Sequence, residues 1–383
     1  VKRALDTRQV LEDSTLVVLA TVSGGAFLFV FNLYLARVFG PVEFGHLRNV
    51  ISLVSWLTIL VEFGTGPSLL KYGAELGAER TRDLVRRYLA FRGVLFLGLA
   101  ITVAGFREPL ARQVLKDPEL DHYLIAGAVF VVFLYFDISK FIVLAHQRMK
   151  LFAGSTAATF LANGLLAAAL TPAGGVFGAI VGWSLGYLVG NAMNVYYIVR
   201  SGALARGPKV DFKKILLGYG LPMQVEQTLR GAELAVIPLW SLVFAPAEIG
   251  ALAFAMVFYR TVMSVIASIN SVLLPRFARM SSEVAAARAA LRQALGLYTA
   301  VAVPGSALAL LSAARIITVI DGAYLPAVAI FRILVVYGLA SGYVMIVGGY
   351  FTGLGRVRPA ILATALQQGG LFLASYLALG TLR

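Results

Sequence analysis

Glu226, Arg230 and Glu233 lie inside a mostly apolar run, "GLPMQVEQTLRGAELAVIPLW" at 220–240, bracketed by Pro222 and Pro238. On a helix Glu226 and Arg230 are four residues apart and Arg230 and Glu233 three, so all share one face. Asp137 and Lys140 in "FDISKF" form a second such pair. Arg260 ("VFYRTVM") and Arg332 ("AIFRILVV") stand in apolar runs with no acidic residue three or four positions away, and Glu62 lies near the end of another run. A guanidinium suits a diphosphate, because its planar fork donates two parallel hydrogen bonds and stays charged. Carboxylates in such a setting either carry a proton or Na⁺, or neutralise the bases in pairs that pin helices together. Arg230, Arg260, Arg332 and Lys140 are therefore candidate contacts to an anionic substrate. Glu226, Glu233, Asp137 and Glu62 are candidates for ion coupling or ion pairing. Four bases against four acids do not make a uniformly cationic site.

Other chemistry has little to build on. The chain has no Cys, which excludes a thiolate metal site, a disulfide and a cysteine nucleophile. His46, His122 and His146 are far apart, and no pair has a metal-ligand spacing. No GxxxxGK[ST] occurs, so an internal ATP motor is unsupported. No cofactor, metal or catalytic group is expected. Energy is left to an ion gradient, the membrane potential or consumption of cargo. An inside-negative potential assists outward passage of an anion by about 2.3 kcal/mol per charge per 100 mV.

The elements that hold these residues are read as membrane spans. Of 383 residues 59% are hydrophobic and 14% charged, against about 25% charged in ordinary soluble domains, and the mean hydropathy is +0.83. Eleven apolar stretches recur: 14–36, 46–70, 87–105, 122–145, 151–170, 176–199, 214–240, 250–274, 293–314, 324–351 and 359–380. Each is about as long as a hydrocarbon core of roughly 30 Å requires, and continuous apolarity argues for helices over barrel strands. The first, following the basic start "VKRALDTRQV", is too long for a secretory signal and lacks its cleavage site, so it is expected to be retained. An ion at the bilayer centre costs at least about 2.5–3.5 kcal/mol, so the charged faces must look into protein or a wet cavity.

With the N-terminus inside, the cytoplasmic segments carry 22 Lys and Arg, and the opposite side carries six: Arg37, Arg48, Arg107, Arg112, Lys116 and Arg315. Such a bias explains the net charge of +14 by topology and anionic lipid, leaving no reason to invoke nucleic acid. The basic segments "GAERTRDLVRRYLAFR" (77–92) and "SSEVAAARAALRQ" (281–293) read as amphipathic helices on the cytoplasmic surface. Gly178, Gly182, Gly186 and Gly190 form a small-residue stripe for close helix packing, with Asn191 and Asn194 placed to bond across helices.

The chain also repeats itself. "VFGPVEFG" (38–45) returns as "VFAPAEIG" (243–250), with Val, Phe, Pro, Glu and Gly kept, and "RMK" (148–150) is echoed by "RVR" (356–358). Both copies face outward, so the halves are parallel repeats about an axis along the membrane normal. The expected architecture is an all-α polytopic membrane protein of two parallel-repeat helical lobes. A six-helix lobe covers 1–200, a cytoplasmic linker covers 201–213 within the basic segment "RSGALARGPKVDFKK" (200–214), and a second lobe of five spans covers 214–383. The repeat leads one to expect a twelfth span, the counterpart of 176–199, to begin where the sequence stops at Arg383. The charges are not duplicated: Glu226, Arg230 and Glu233 correspond to Thr21, Gly25 and Leu28, and Asp137 and Lys140 to Met345 and Gly348. That asymmetry favours a cavity for an asymmetric cargo over a purely architectural pair.

The stretch at 34–76, "YLARVFGPVEFGHLRNVISLVSWLTILVEFGTGPSLLKYGAEL", resembles the opening of Wzx-type polysaccharide (O-antigen) flippases of the multidrug/oligosaccharidyl-lipid/polysaccharide superfamily. "ILLGYGLP" (215–222) and "INSVLLPRFARM" (269–280) resemble the start of that family's second lobe. The likeness is one of spacing and composition along the whole chain. It implies a MATE-like, V-shaped pair of six-helix lobes around a cavity that opens alternately inward and outward. The implied cargo is a polyprenyl-diphosphate-linked oligosaccharide, moved from the inner to the outer leaflet of the cytoplasmic membrane for lipopolysaccharide or other surface glycans. Implied partners are this lipid-linked oligosaccharide, membrane lipids, and a polysaccharide polymerase or glycosyltransferases. Two alternatives stand beside it. One is an H⁺- or Na⁺-coupled exporter of small molecules or drugs from the same superfamily, whose cavity should lean acidic. The other is a membrane-embedded glycan-transferring enzyme, for which the loop at 106–121 offers little site machinery.

Overall fold

A computed structural model describes residues 7–279, 283–354 and 356–382; Lys2, Arg3, Met280, Ser281, Ser282 and Arg383 of the features above lie outside them. The described residues contain helices and no β-strand, and eight helices are long and apolar enough to cross a membrane. Two of the eight are hairpins of two legs. Thr7–Val61 passes through Gly40 at φ 69° and ψ 178°, with Pro41 next. Glycine alone enters that region without strain, and a proline opening the second leg gives up an N–H that had no partner. Met149–Arg200 turns in the same way at Gly175, φ 54° and ψ −137°. Counted by legs, and with the segmented run through 212–240, the eleven apolar stretches fall mostly on helix, with 46–70 broken at 62–64.

That segmented run is the least regular. It consists of Phe212–Ile215, a π-helical turn Leu216–Gly220, Leu221–Gly231, a 3-10 turn Ala232–Ala235 and Val236–Trp240. Pro222 removes the N–H that would close onto the carbonyl four residues back, and the preceding turn widens around it.

By packing, the chain divides into two compact units: residues up to Leu28 with Asn49–Gly231, and Phe29–Arg48 with Ala232–Arg383. The sequence repeat divides the chain at 201–213, whereas the packing boundary falls between Gly231 and Ala232.

In the first unit the glycine stripe lets the two legs of Met149–Arg200 touch backbone to backbone. A Cβ at Gly178 would fall on the Leu170 carbonyl, at Gly182 on Leu166, at Gly186 on Asn163 and at Gly190 on Thr159. Each step of four along one leg is matched by about four along the other, as an antiparallel hairpin demands. Below the stripe, Asn194 Nδ2 donates to Ser155 Oγ at 2.9 Å and to Asn191 Oδ1 at 3.2 Å, which also accepts from Ser139 Oγ at 3.0 Å. The linker is strapped to the helix Gly77–Gly105: Val210 N–H donates to Asp83 Oδ2 at 3.0 Å, and Phe212 packs edge-on against Tyr88 with centroids 5.0 Å apart.

In the second unit the two copies of the repeat meet each other. A Cβ at Gly250 would strike the Pro41 carbonyl, and one at Gly45 would lie 2.8 Å from Pro246 O. Pro41 and Pro246 are repeat equivalents, as are Gly45 and Gly250, so the contact is reciprocal and close to two-fold. Beside it Tyr324 stacks on Phe254, centroids 4.3 Å apart, and its hydroxyl donates to Ala36 O at 3.0 Å.

Candidate functional site

Charged side chains gather at two places, one in each unit. In the first unit the break after the helix ending at Val61 puts Phe63 and Gly64 at positive φ, 50° and 62°. Here the backbone loses helical partners, and Gln224 replaces them: its Oε1 accepts from Gly64 N–H at 2.9 Å and its Nε2 donates to Ile59 O. Glu62 sits at this break. Arg92 Nη2 lies 2.8 Å from Glu62 Oε1, and the Arg92 side chain is 1% exposed. Its Nη1 donates to Thr65 Oγ1 at 3.4 Å, and its guanidinium lies over Phe96, 4.3 Å from the ring centre. Glu62 also lies within electrostatic reach of Asp137, whose Oδ1 is 2.6 Å from Lys140 Nζ. Asp137 ends a 3-10 turn, Tyr135–Asp137, between the helices Leu120–Leu134 and Ile138–Ala145. Two breaks in apolar helices therefore hold one network of two acids and two bases.

Arg92 was expected on the cytoplasmic surface with the rest of 77–92. It is instead buried, because Gly77–Gly105 is one helix and Arg92 lies roughly 22 Å along it at 1.5 Å per residue. The remainder of that segment is amphipathic as read: Glu79, Arg80 and Arg86 are exposed, while Thr81, Leu84, Val85 and Tyr88 are buried.

In the second unit Arg260 meets Glu233. Arg260 Nη2 donates to Glu233 O at 3.2 Å, and its Nε is 3.9 Å from Glu233 Oε1. The expected single face of Glu226, Arg230 and Glu233 is interrupted: the helix stops at Gly231 and the 3-10 turn over Ala232–Ala235 carries Glu233 to Arg260. Glu226 and Arg230 remain an ion pair in the first unit, with Arg230 exposed. Arg48, expected in an outer loop, lies within the second leg of the first hairpin and is 6% exposed. Its Nη1 donates to Asn32 Oδ1 at 3.3 Å, its Nε has no hydrogen-bond partner among the described residues, and it feels the charge of Arg260. Arg260 thus has the Glu233 carboxylate beside it, while Arg48 makes no ion pair among the described residues, which leaves positive charge in excess at this place. Arg332, on Ala327–Gly353, is exposed and makes no ion pair among the described residues.

Gln224, Arg92 and Arg48 were not singled out from the sequence. The only signal for the two arginines is a cation among apolar residues, "LAFRGVLF" and "GHLRNVIS", which the loop tally assigned to the surface. A consequence for Gln224 follows. Gln224→Leu should strand two backbone groups at the break and cost about 1–3 kcal/mol for each, read as a lower melting temperature of the detergent-purified chain. Gln224→Glu, which keeps one acceptor for Gly64 N–H, should lie between it and the parent.

Discontinuous helices of this kind occur in secondary transporters, and known structures share this fold. The lipid II flippase MurJ in an inward closed conformation superposes with a TM-score of 0.76, covering 95% of this chain and 85% of that one at 13% identity. An inward-facing multidrug resistance MATE family transporter of the MOP superfamily gives 0.62, covering 96% and 92% at 15% identity, and the Vibrio cholerae MATE transporter VcmN in the bent form gives 0.57, covering 98% of each chain at 14%. Residues 10–281 match the polysaccharide biosynthesis protein family, and the chain belongs to it. An uncharacterized membrane protein of Methanocaldococcus jannaschii is 26% identical over 210 residues, 54% of this chain; the match spans about half (48%) of that relative's length.

Proposed function

We propose that this chain is a flippase that carries a polyprenyl-diphosphate-linked oligosaccharide from the inner to the outer leaflet by alternating access, serving synthesis of a surface polysaccharide. The observation that carries this reading is the buried Arg48 within electrostatic reach of Arg260: Arg260 has Glu233 beside it, and Arg48 makes no ion pair among the described residues. A surplus cation buried among membrane helices is costly and asks for an anion, and a diphosphate supplies one with bidentate geometry. Membership of the polysaccharide biosynthesis family supports the glycan part of the cargo. Arg332, exposed and without an ion pair among the described residues, is a further contact; Lys140 and Arg230, each facing its own carboxylate, serve as exchangeable ones. In this reading the six-helix lobe of 1–200 and the lobe of 214–383 rock about the linker, the N-terminus is cytoplasmic, and the protein works in the cytoplasmic membrane beside glycosyltransferases and a polymerase. The cation-exporter alternative draws no support from the charges, since Glu62, Asp137 and Glu226 each face a base.

Reconstitution tests it. Vesicles holding the protein and a fluorescent polyprenyl-diphosphate oligosaccharide should lose nearly all the label to an impermeant quencher, whereas protein-free vesicles should lose about half. Equal quenching in both would overturn the proposal.

A further inference from the structure

We propose that a groove at the open end of the Met149–Arg200 hairpin binds one anionic phospholipid. The groove measures about 590 Å³ and is lined by Leu151, Ala192, Met193, Tyr196, Tyr197 and Arg200, a volume within the range of small-molecule sites, roughly 300–1,000 Å³. Its lining is apolar apart from one guanidinium and two phenol groups. Tyr196 and Met193 are exposed, so the groove opens outward from the hairpin.

Charge collects at one end. Arg200 lies over the Tyr196 ring at 5.5 Å and Arg148 over the Tyr197 ring at 5.7 Å. Lys150 is exposed one residue before the lining Leu151. None of the three bases has a carboxylate partner among the described residues, although ion pairs form elsewhere in this unit. Tyr197 is itself held in place, its hydroxyl 3.3 Å from His146 Nδ1. Burial, then the Arg148 charge, keep the His146 imidazole below its ordinary pKa, so the ring adds no fixed cation. Aromatic rings carrying guanidiniums at the edge of an apolar groove match a phosphate headgroup above an acyl chain. Inorganic phosphate would satisfy the bases and leave the apolar floor bare; a zwitterionic lipid would cover the floor and offer its own ammonium to the bases. The site is independent of cargo transport.

The test is native mass spectrometry of the full chain in detergent, titrated with phosphatidylglycerol, with phosphatidylcholine of the same acyl chains, and with inorganic phosphate. The expected result is one tight phosphatidylglycerol adduct, weakened roughly 25-fold in R148Q/R200Q at about fivefold per charge removed. M193W, which fills the groove and keeps every charge, should weaken it similarly. K213Q/K214Q, which removes exposed bases elsewhere, should leave it unchanged. Because Arg148, Arg200 and Met193 are exposed, the variants should keep the parent's elution volume and melting temperature. Equal binding of phosphatidylcholine, full displacement by equimolar phosphate, or an adduct indifferent to both R148Q/R200Q and M193W would each overturn the site.

Discussion

Arg92→Met is expected to destabilise the first unit strongly. It leaves the Glu62 carboxylate, 2.8 Å from Arg92 in the parent, without its partner among apolar helices. Breaking a buried pair from one side costs about 3–5 kcal/mol, because the surviving charge keeps its desolvation penalty. Lys140 does not compensate, being held by Asp137 at 2.6 Å. The double variant Glu62→Gln/Arg92→Met removes both charges and should recover most of the loss. Fluorescence-detected thermal melting of the three proteins in one detergent reads this directly. If the double variant melts as low as the single one, the ion pair is not the cause.

The second large effect is steric. Gly182→Leu places a branched side chain where a Cβ alone would come within 2.6 Å of Ala167 Cα. Backbone cannot yield as a side-chain tip can, so the legs of Met149–Arg200 must part, and the Gly186 and Gly190 contacts beside it loosen with them. A loss of folded protein after detergent extraction is expected. Gly154→Ala, on the same helix where a Cβ meets nothing within 4 Å, should be neutral or slightly stabilising through helix propensity. Comparable behaviour of the two variants would remove the stripe from the account.

The features legible in the sequence were those that depend on one helix at a time. Apolar length defines a span, so the eleven stretches fall mostly on helix. Spacing of three or four defines a local pair, so Asp137–Lys140 and Glu226–Arg230 are formed. A four-residue glycine period defines a packing face, and it packs. The features that escaped depend on what another helix brings. Arg92 reads as one more base in a cytoplasmic run until the break at Glu62 supplies its partner. Arg48 reads as a loop residue until Gly40 turns the hairpin early and draws 41–61 into one leg. Glu233 reads as part of the Arg230 face until a 3-10 turn sends it to Arg260. Gln224 carries no charge to draw attention, and its role exists only because the chain breaks at Phe63 and Gly64. In each case the deciding event is a helix interruption, and a periodicity argument assumes there is none.

We propose that the positive charge of Arg48 and Arg260 receives a lipid-linked diphosphate. The most direct test of this is the affinity of the purified chain for a short polyprenyl-diphosphate oligosaccharide, with R48Q and R260Q measured beside the parent and each variant first shown to melt near the parent temperature. The account predicts that each substitution weakens binding at least about tenfold, a loss of about 1.4 kcal/mol or more, and that E233Q strengthens it by relieving competition for Arg260. Parent-like affinity in both arginine variants would contradict it.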